Sequence, residues 1–183
     1  MSATIVRLEP DEMDLAAWIG AQSVAATAAR GMGAGNYEAK DPVWEGRKRG
    51  YAHALEIAVG KYLGRFVHLG VWAQHTSAPP NRPDVSPDLE VRRIDDLRNP
   101  WVVVKPRDVD RGYRIVVGHI EKEPDGGGKA TLLGYVPARL AMEKTYRDHP
   151  TYRQGSGVRV APISIVRPVS RLKAILDGQE VPA

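Results

Sequence analysis

Between Pro83 and Arg92 the chain sets an aspartate, Asp84, six positions before a glutamate, Glu90, and a cation, Arg92, two positions after it. Side chains alternate along a strand, so Glu90 and Arg92 share one face while Val91 turns to the core. Two carboxylates and one cation on a single surface suit a hard divalent ion, and they also suit a phosphodiester. A third acid, Glu56, falls beside the apolar stripe Tyr51, Leu55, Ala58, Val59 and Tyr62, where a partly buried carboxylate can reach a sheet edge. Carboxylates this close repel one another, so the group needs a cation at neutral pH.

Each residue also has a plainer reading. Asp84 after a proline suits an Asx turn, and Glu90 with Arg92 suits an exposed charge pair on an edge strand. Glu56 alone suits a solvated helix position. Asp88, nearer the strand, is the alternative to Asp84 as the metal-facing acid. Other chemistries find less support. The five histidines include no HExxH or other paired ligand spacing, and there is no cysteine, which excludes disulfides, thiolate nucleophiles and Cys-ligated zinc. No G-x-S-x-G elbow occurs, and Gln154-Gly155-Ser156-Gly157 reads as a loop. Trp44, Trp72 and Trp101 read as packing residues.

These groups need elements to position them. Pro10-Asp11-Glu12 opens a helix over 10–30, on which Leu15, Trp18, Ile19, Ala25 and Ala26 follow the helical period. Glycines 31, 33 and 35 lead into a loop over 31–43, and a second helix spans 44–63, closed by Gly64. Residues 65–73 read as a strand, and a proline-rich connector follows. Further strands are expected at 89–94, 101–105, 113–120 and 130–136. Pro124 to Gly128 makes the turn between the last two. Pro137 starts a helix over 138–144, 158–166 contains a final extended segment, and 170–176 is a terminal helix. Helices first and then a mostly antiparallel or mixed sheet make a single α/β (α+β) domain over residues 1–183, with its core at 44–176.

The 183 residues are 43% hydrophobic and 26% charged, an ordinary globular composition. The N-terminus does not read as a signal peptide, and no apolar run is long enough to span a membrane, so a cytoplasmic protein is expected. Net charge is +4, yet the stretch from Arg139 to Lys173 alone carries +6, with Tyr146 and Tyr152 interleaved. Such a cluster suits phosphate contact, though for any single charge a solvated face is the plainer account.

In order, the helix with Glu56, Pro83-Asp84, Glu90-Val91-Arg92 and a long apolar strand resemble the PD-(D/E)XK nuclease superfamily, and within it small phage and prophage proteins. Glu56-Ile57-Ala58-Val59-Gly60-Lys61-Tyr62-Leu63-Gly64 is similar to their E-x-A-x-x-K-x-L-G helix end. Pro83-Asp84-Val85 with Val91-Arg92 matches their P-D-V … V-R. The WVVVKPRDVD segment matches their D … D strand, and Gly134-Tyr135-Val136 matches their G-W-I. The resemblance covers roughly residues 10–170 in order. It implies a restriction-endonuclease-like mixed sheet flanked by helices, with an extra N-terminal helix. It also implies hydrolysis of phosphodiester bonds with Mg²⁺ or Mn²⁺ held by Asp84, Glu90 and Glu56, in the cytoplasm of a bacterial host.

Arg92 stands where the family has lysine, and arginine stabilises an anion but cannot act as a base. Lys105 and Arg93 are the candidates for the vacated role. Arg93, Lys105, Arg139, Lys144, Arg147 and Arg153 are the expected nucleic-acid contacts, with DNA ahead of RNA and a homodimer as the analogous assembly. The alternative is a nuclease-fold protein that binds nucleic acid or a host protein without cutting.

Overall fold

The computed structural model describes residues 3–29, 41–70, 82–145, 147–148 and 155–179. Strand β1 (Thr4–Leu8) precedes helices α1 (Pro10–Ala29) and α2 (Pro42–Leu63). Strands β2 (Leu89–Arg93) and β3 (Trp101–Val104), the short helix α3 (Pro106–Asp110) and the hairpin of β4 (Arg114–Lys122) and β5 (Gly128–Pro137) follow. Helix α4 (Ala138–Glu143), strands β6 (Arg147–Asp148) and β7 (Arg159–Pro162) and helix α5 (Val169–Leu176) complete the order. This is the mixed α/β architecture expected, with a mixed sheet, flanking helices and a helix ahead of the core.

The strands divide into two sheets. One has the order β1-β5-β4-β2, antiparallel except for β2 and β4, and the other has the order β3-β7-β6. The first sheet separates two apolar clusters. Val91 and Val116 pack with Leu55, Ala58 and Val59 of α2, whereas Ile115 and Val117 pack with Val102, Val104 and Ala161 of the second sheet. Register pairs Glu90 with Ile115 and Arg92 with Val117, so Glu90 and Arg92 stand on the face turned toward the second sheet.

Helix α2 begins at Pro42, inside the span expected as loop. Asp41 accepts a hydrogen bond from the Val43 N–H at 2.9 Å and Pro42 takes the first helical position, a standard N-terminal pairing. The segment 65–73 was expected to be a strand. Over 65–70 it forms a single bridge, Val67 to Val85, and 71–73 lie outside the described residues. The bridge is closed by the Ser86 N–H donating to the Phe66 carbonyl and the His68 N–H donating to that of Asp84, and the pairing goes no further.

The α1 stripe also needs correction. Leu15 and Trp18 are exposed, and the buried face is Met13, Ala16, Ile19, Gly20 and Ser23. Close approach of α2 selects the small side chains. A Cβ on Gly20 would stand 2.4 Å from the Gly50 nitrogen and 2.5 Å from the Gly46 carbonyl oxygen. Ala in place of Gly gains about 1 kcal/mol of helix propensity, but overpacking costs about 1–3 kcal/mol and backbone neighbours cannot rotate away. Gly20→Ala should therefore lower stability in urea unfolding, and a neutral or stabilising result would show that the helices separate freely. Trp44, expected to be packed, is 46% exposed and lies under Lys48 at 5.2 Å; Trp72 lies outside the described residues.

Candidate active site

The site is built at the edge of the first sheet. Val85 and Leu89 exchange backbone hydrogen bonds at 3.0 Å in both directions, folding Asp84 back beside the start of β2. Its Oδ2 accepts the Val91 N–H at 2.7 Å, so residues separated in sequence become neighbours. This is more than an Asx turn, since the bond crosses from the connector to the strand. Glu90 is only 3% exposed, which sets aside the exposed edge-pair reading. Its Oε2 accepts from Arg92 Nη1 at 2.7 Å, and the same nitrogen is 3.9 Å from Asp84 Oδ2.

The second nitrogen of Arg92 reaches a residue that sequence reasoning missed. Arg92 Nη2 donates to Asp108 Oδ2 at 2.8 Å, and Asp108 is fully buried. That oxygen also accepts the Lys105 N–H at 3.0 Å, while the Asp108 N–H donates to the Lys105 carbonyl at 3.0 Å. The signals available were the D … D match of WVVVKPRDVD, whose first aspartate is Asp108, and an acid three residues after a strand end and two after a proline, a helix-start pattern. Nothing in that pattern points to Arg92.

Glu56 rises from α2, the helix over the opposite face, and is buried with its Oε2 2.9 Å from His53 Nδ1. Burial raises the Asp84 carboxyl well above the ordinary range, and the charges of Glu56 and Glu90 raise it further. Arg92 and the Val91 N–H pull it back only in part. Burial opposes the charge on Arg92, but Glu90, Asp108 and Asp84 outweigh it and keep the guanidinium ionised. Lys105 behaves differently. Burial, with the cations Arg92 and Arg107 nearby, pushes its ammonium down to about 8, against the pull of Asp108 and Glu90.

Lys105 is thus within electrostatic reach of Arg92 and Glu90. Arg93 is not brought there. It points to the other face, pairs with Asp95 and lies over the Tyr51 ring at 5.7 Å. Asp88 is drawn away to Arg114, so it does not replace Asp84. Among the remaining candidate contacts, Arg139 pairs with Glu143 at 3.2 Å and Lys144 is exposed just beyond α4. Arg147 has its backbone in β6, and Arg153 lies outside the described residues. The basic stretch is spread over α4, β7 and α5, with Arg159 and Lys173 also engaged by Asp148 and Asp177.

Four carboxylates, Glu56, Asp84, Glu90 and Asp108, face fewer permanent cations. Burial is the main cause of the elevated Asp84 carboxyl and the charges of Glu56 and Glu90 add to it; a divalent ion would relieve the charge part. Among the described residues no three acids or histidines are gathered closely enough to hold an ion by themselves. Mg²⁺ takes one or two carboxylates and completes its shell with water and substrate phosphate, and Asp84 and Glu90 are two carboxylates that share Arg92 Nη1 as a neighbour.

The sign of the Asp84 shift makes a test. A carboxyl whose folded pKa is raised contributes stability at low pH, and that contribution is lost as pH rises through the folded value. In chelator, Asp84→Asn should therefore raise the melting temperature at pH 7 and change it little at pH 4. An equal effect at both pH values would remove ionisation of the buried Asp84 carboxyl as the cause.

No family model, curated protein or solved structure matches the chain. Among the described residues, no helix is long and apolar enough to cross a membrane.

Proposed function

We propose that this protein is a metal-dependent nuclease that hydrolyses phosphodiester bonds in DNA, with Asp84 and Glu90 as the carboxylates that hold Mg²⁺ or Mn²⁺. The observation that carries the reading is the elevated Asp84 carboxyl beside Glu56 and Glu90, an excess of negative charge in a partly buried place. A divalent cation bound there supplies positive charge to the scissile phosphate and makes a water molecule more acidic. Glu56 adds negative charge from the helix side and strengthens the hold on a cation. Arg92, ionised at any working pH, stabilises the charge that develops on the phosphate as water attacks. Lys105, with a pKa near 8, is the group on hand to take a proton from that water, which arginine cannot do.

Lys105→Met should lower the cleavage rate by about 100-fold, the usual size of a general-base contribution, and remove a rise in rate centred near pH 8. A pH profile that keeps its shape in the variant would assign the proton transfer elsewhere.

One observation favours a second reading. Arg92 is held by Glu90 at 2.7 Å and by Asp108 at 2.8 Å, and a guanidinium so engaged also suits a protein that binds nucleic acid or a host protein without cutting. The deciding experiment incubates plasmid and single-stranded DNA with the protein in Mg²⁺ or Mn²⁺, beside Asp84→Ala and Glu90→Ala. Cutting that is abolished by chelator and by both substitutions supports the nuclease. Salt-sensitive DNA binding without cutting supports the second reading, and neither cutting nor DNA binding directs the search to protein partners.

A further inference from the structure

We propose that Asp108 is a positioning residue that holds Arg92 away from Asp84, leaving Asp84 available to a divalent cation beside Glu90. The inference rests on the metal-site reading above and adds to it the group that keeps the site open. Asp108 is fully buried and touches neither of the two ligand carboxylates' hydrogen bonds; its contacts are Arg92 and its own corner of the fold. That corner fixes it independently of Arg92. It exchanges backbone and side-chain hydrogen bonds with Lys105, each at 3.0 Å, and its carbonyl accepts the Tyr113 N–H at 2.9 Å. Control therefore runs from α3 to Arg92 rather than the reverse.

Arg92 is the movable partner. Its Nη2 is given to Asp108 at 2.8 Å, while Nη1 donates to Glu90 at 2.7 Å and to the Val91 carbonyl at 3.3 Å, with Asp84 at the longer distance of 3.9 Å. Its Nε is buried and has no hydrogen-bond partner among the described residues. A guanidinium released by Asp108 keeps all its donors and has Asp84 as the nearest further carboxylate. Closing on Asp84 would place a fixed positive charge where a metal ion must sit, and like charges in a partly buried site exclude one another.

Asp108→Asn tests this. Asparagine keeps an oxygen for the Lys105 N–H but loses the charge that holds Arg92. A crystal structure of the metal-free variant should show Arg92 within hydrogen-bond distance of Asp84. Mn²⁺ affinity, read by calorimetry on the full chain, should fall about tenfold, as when supporting groups around a metal site are removed. Arg92→Gln added to Asp108→Asn should restore that affinity, a recovery that a merely damaged fold would not give. Should Asp108→Asn fail to fold, Arg92→Gln alone is expected to raise Mn²⁺ affinity. Arg92 unmoved in the Asp108→Asn structure, unchanged affinity, or no recovery in the double variant would each overturn the proposal; so would unchanged or weaker binding in Arg92→Gln alone. A wild-type protein that binds no Mn²⁺ would instead remove the metal-site reading, and the Arg92 position in the variant structure would still decide whether Asp108 restrains it.

Discussion

Glu90→Gln is expected to reduce metal-dependent DNA cleavage about a thousandfold, the several kcal/mol of charge stabilisation that a bound cation supplies. The substitution keeps an oxygen that can accept from Arg92 Nη1, so the buried hydrogen bond at 2.7 Å need not be lost with the charge. Asp84→Asn should have an effect of similar size. Asp88→Asn provides the control, since Asp88 is turned to Arg114 and is expected to leave cleavage unchanged. Initial rates on supercoiled plasmid measure all three. Comparable losses in Glu90→Gln and Asp88→Asn would show that the acids act on the fold and not on the phosphate.

Arg92→Ala carries the largest expected loss of stability. Removing one member of a buried ion pair leaves its partners charged and unpaired, at a cost of about 3–5 kcal/mol. Here two carboxylates lose their close cation, Glu90 at 3% exposure and Asp108 at 0%, the latter keeping only Arg107 at 3.7 Å. Arg92→Lys retains the charge but presents a single ammonium where Arg92 spans both acids with separate nitrogens, so its loss should be smaller. Urea unfolding in chelator measures both. A loss below about 1 kcal/mol for Arg92→Ala would mean that water reaches these carboxylates freely.

The elements with a strong local pattern were legible in the sequence. Pro124 to Gly128 between two apolar runs marks the β4–β5 hairpin, where Gly126 adopts a φ of 93°. Gly134 in Gly134-Tyr135-Val136 has a structural reason as well. Its φ is 153°, and a Cβ there would lie 2.4 Å from the Arg167 carbonyl that accepts the Tyr135 N–H. Strand β1 was missed, although Val6 and Leu8 are buried in alternation with exposed Ile5 and Arg7; five residues offer little periodicity. Helix α3 is likewise too short to declare itself.

The site was legible in part, because strand alternation and sequence order brought Asp84, Glu90 and Arg92 forward. Their pairing was not. Asp108 lies 16 residues from Arg92, and no local pattern announces that Arg92 Nη2 donates to its Oδ2 in the folded chain. The α1 face was misread because packing there is governed by Gly20, Gly46 and Gly50 rather than by the largest apolar side chains.

Calorimetric titration of Mn²⁺ into the full chain at neutral pH, beside Asp84→Asn, decides whether a cation is held here. One saturable site is expected in the wild type, lost or strongly weakened in the variant. Because the Asp84 carboxyl is raised, proton release on binding is also expected, seen as a heat that varies with the buffer. No saturable binding, or equal binding by Asp84→Asn, would contradict a cation held by Asp84 and Glu90.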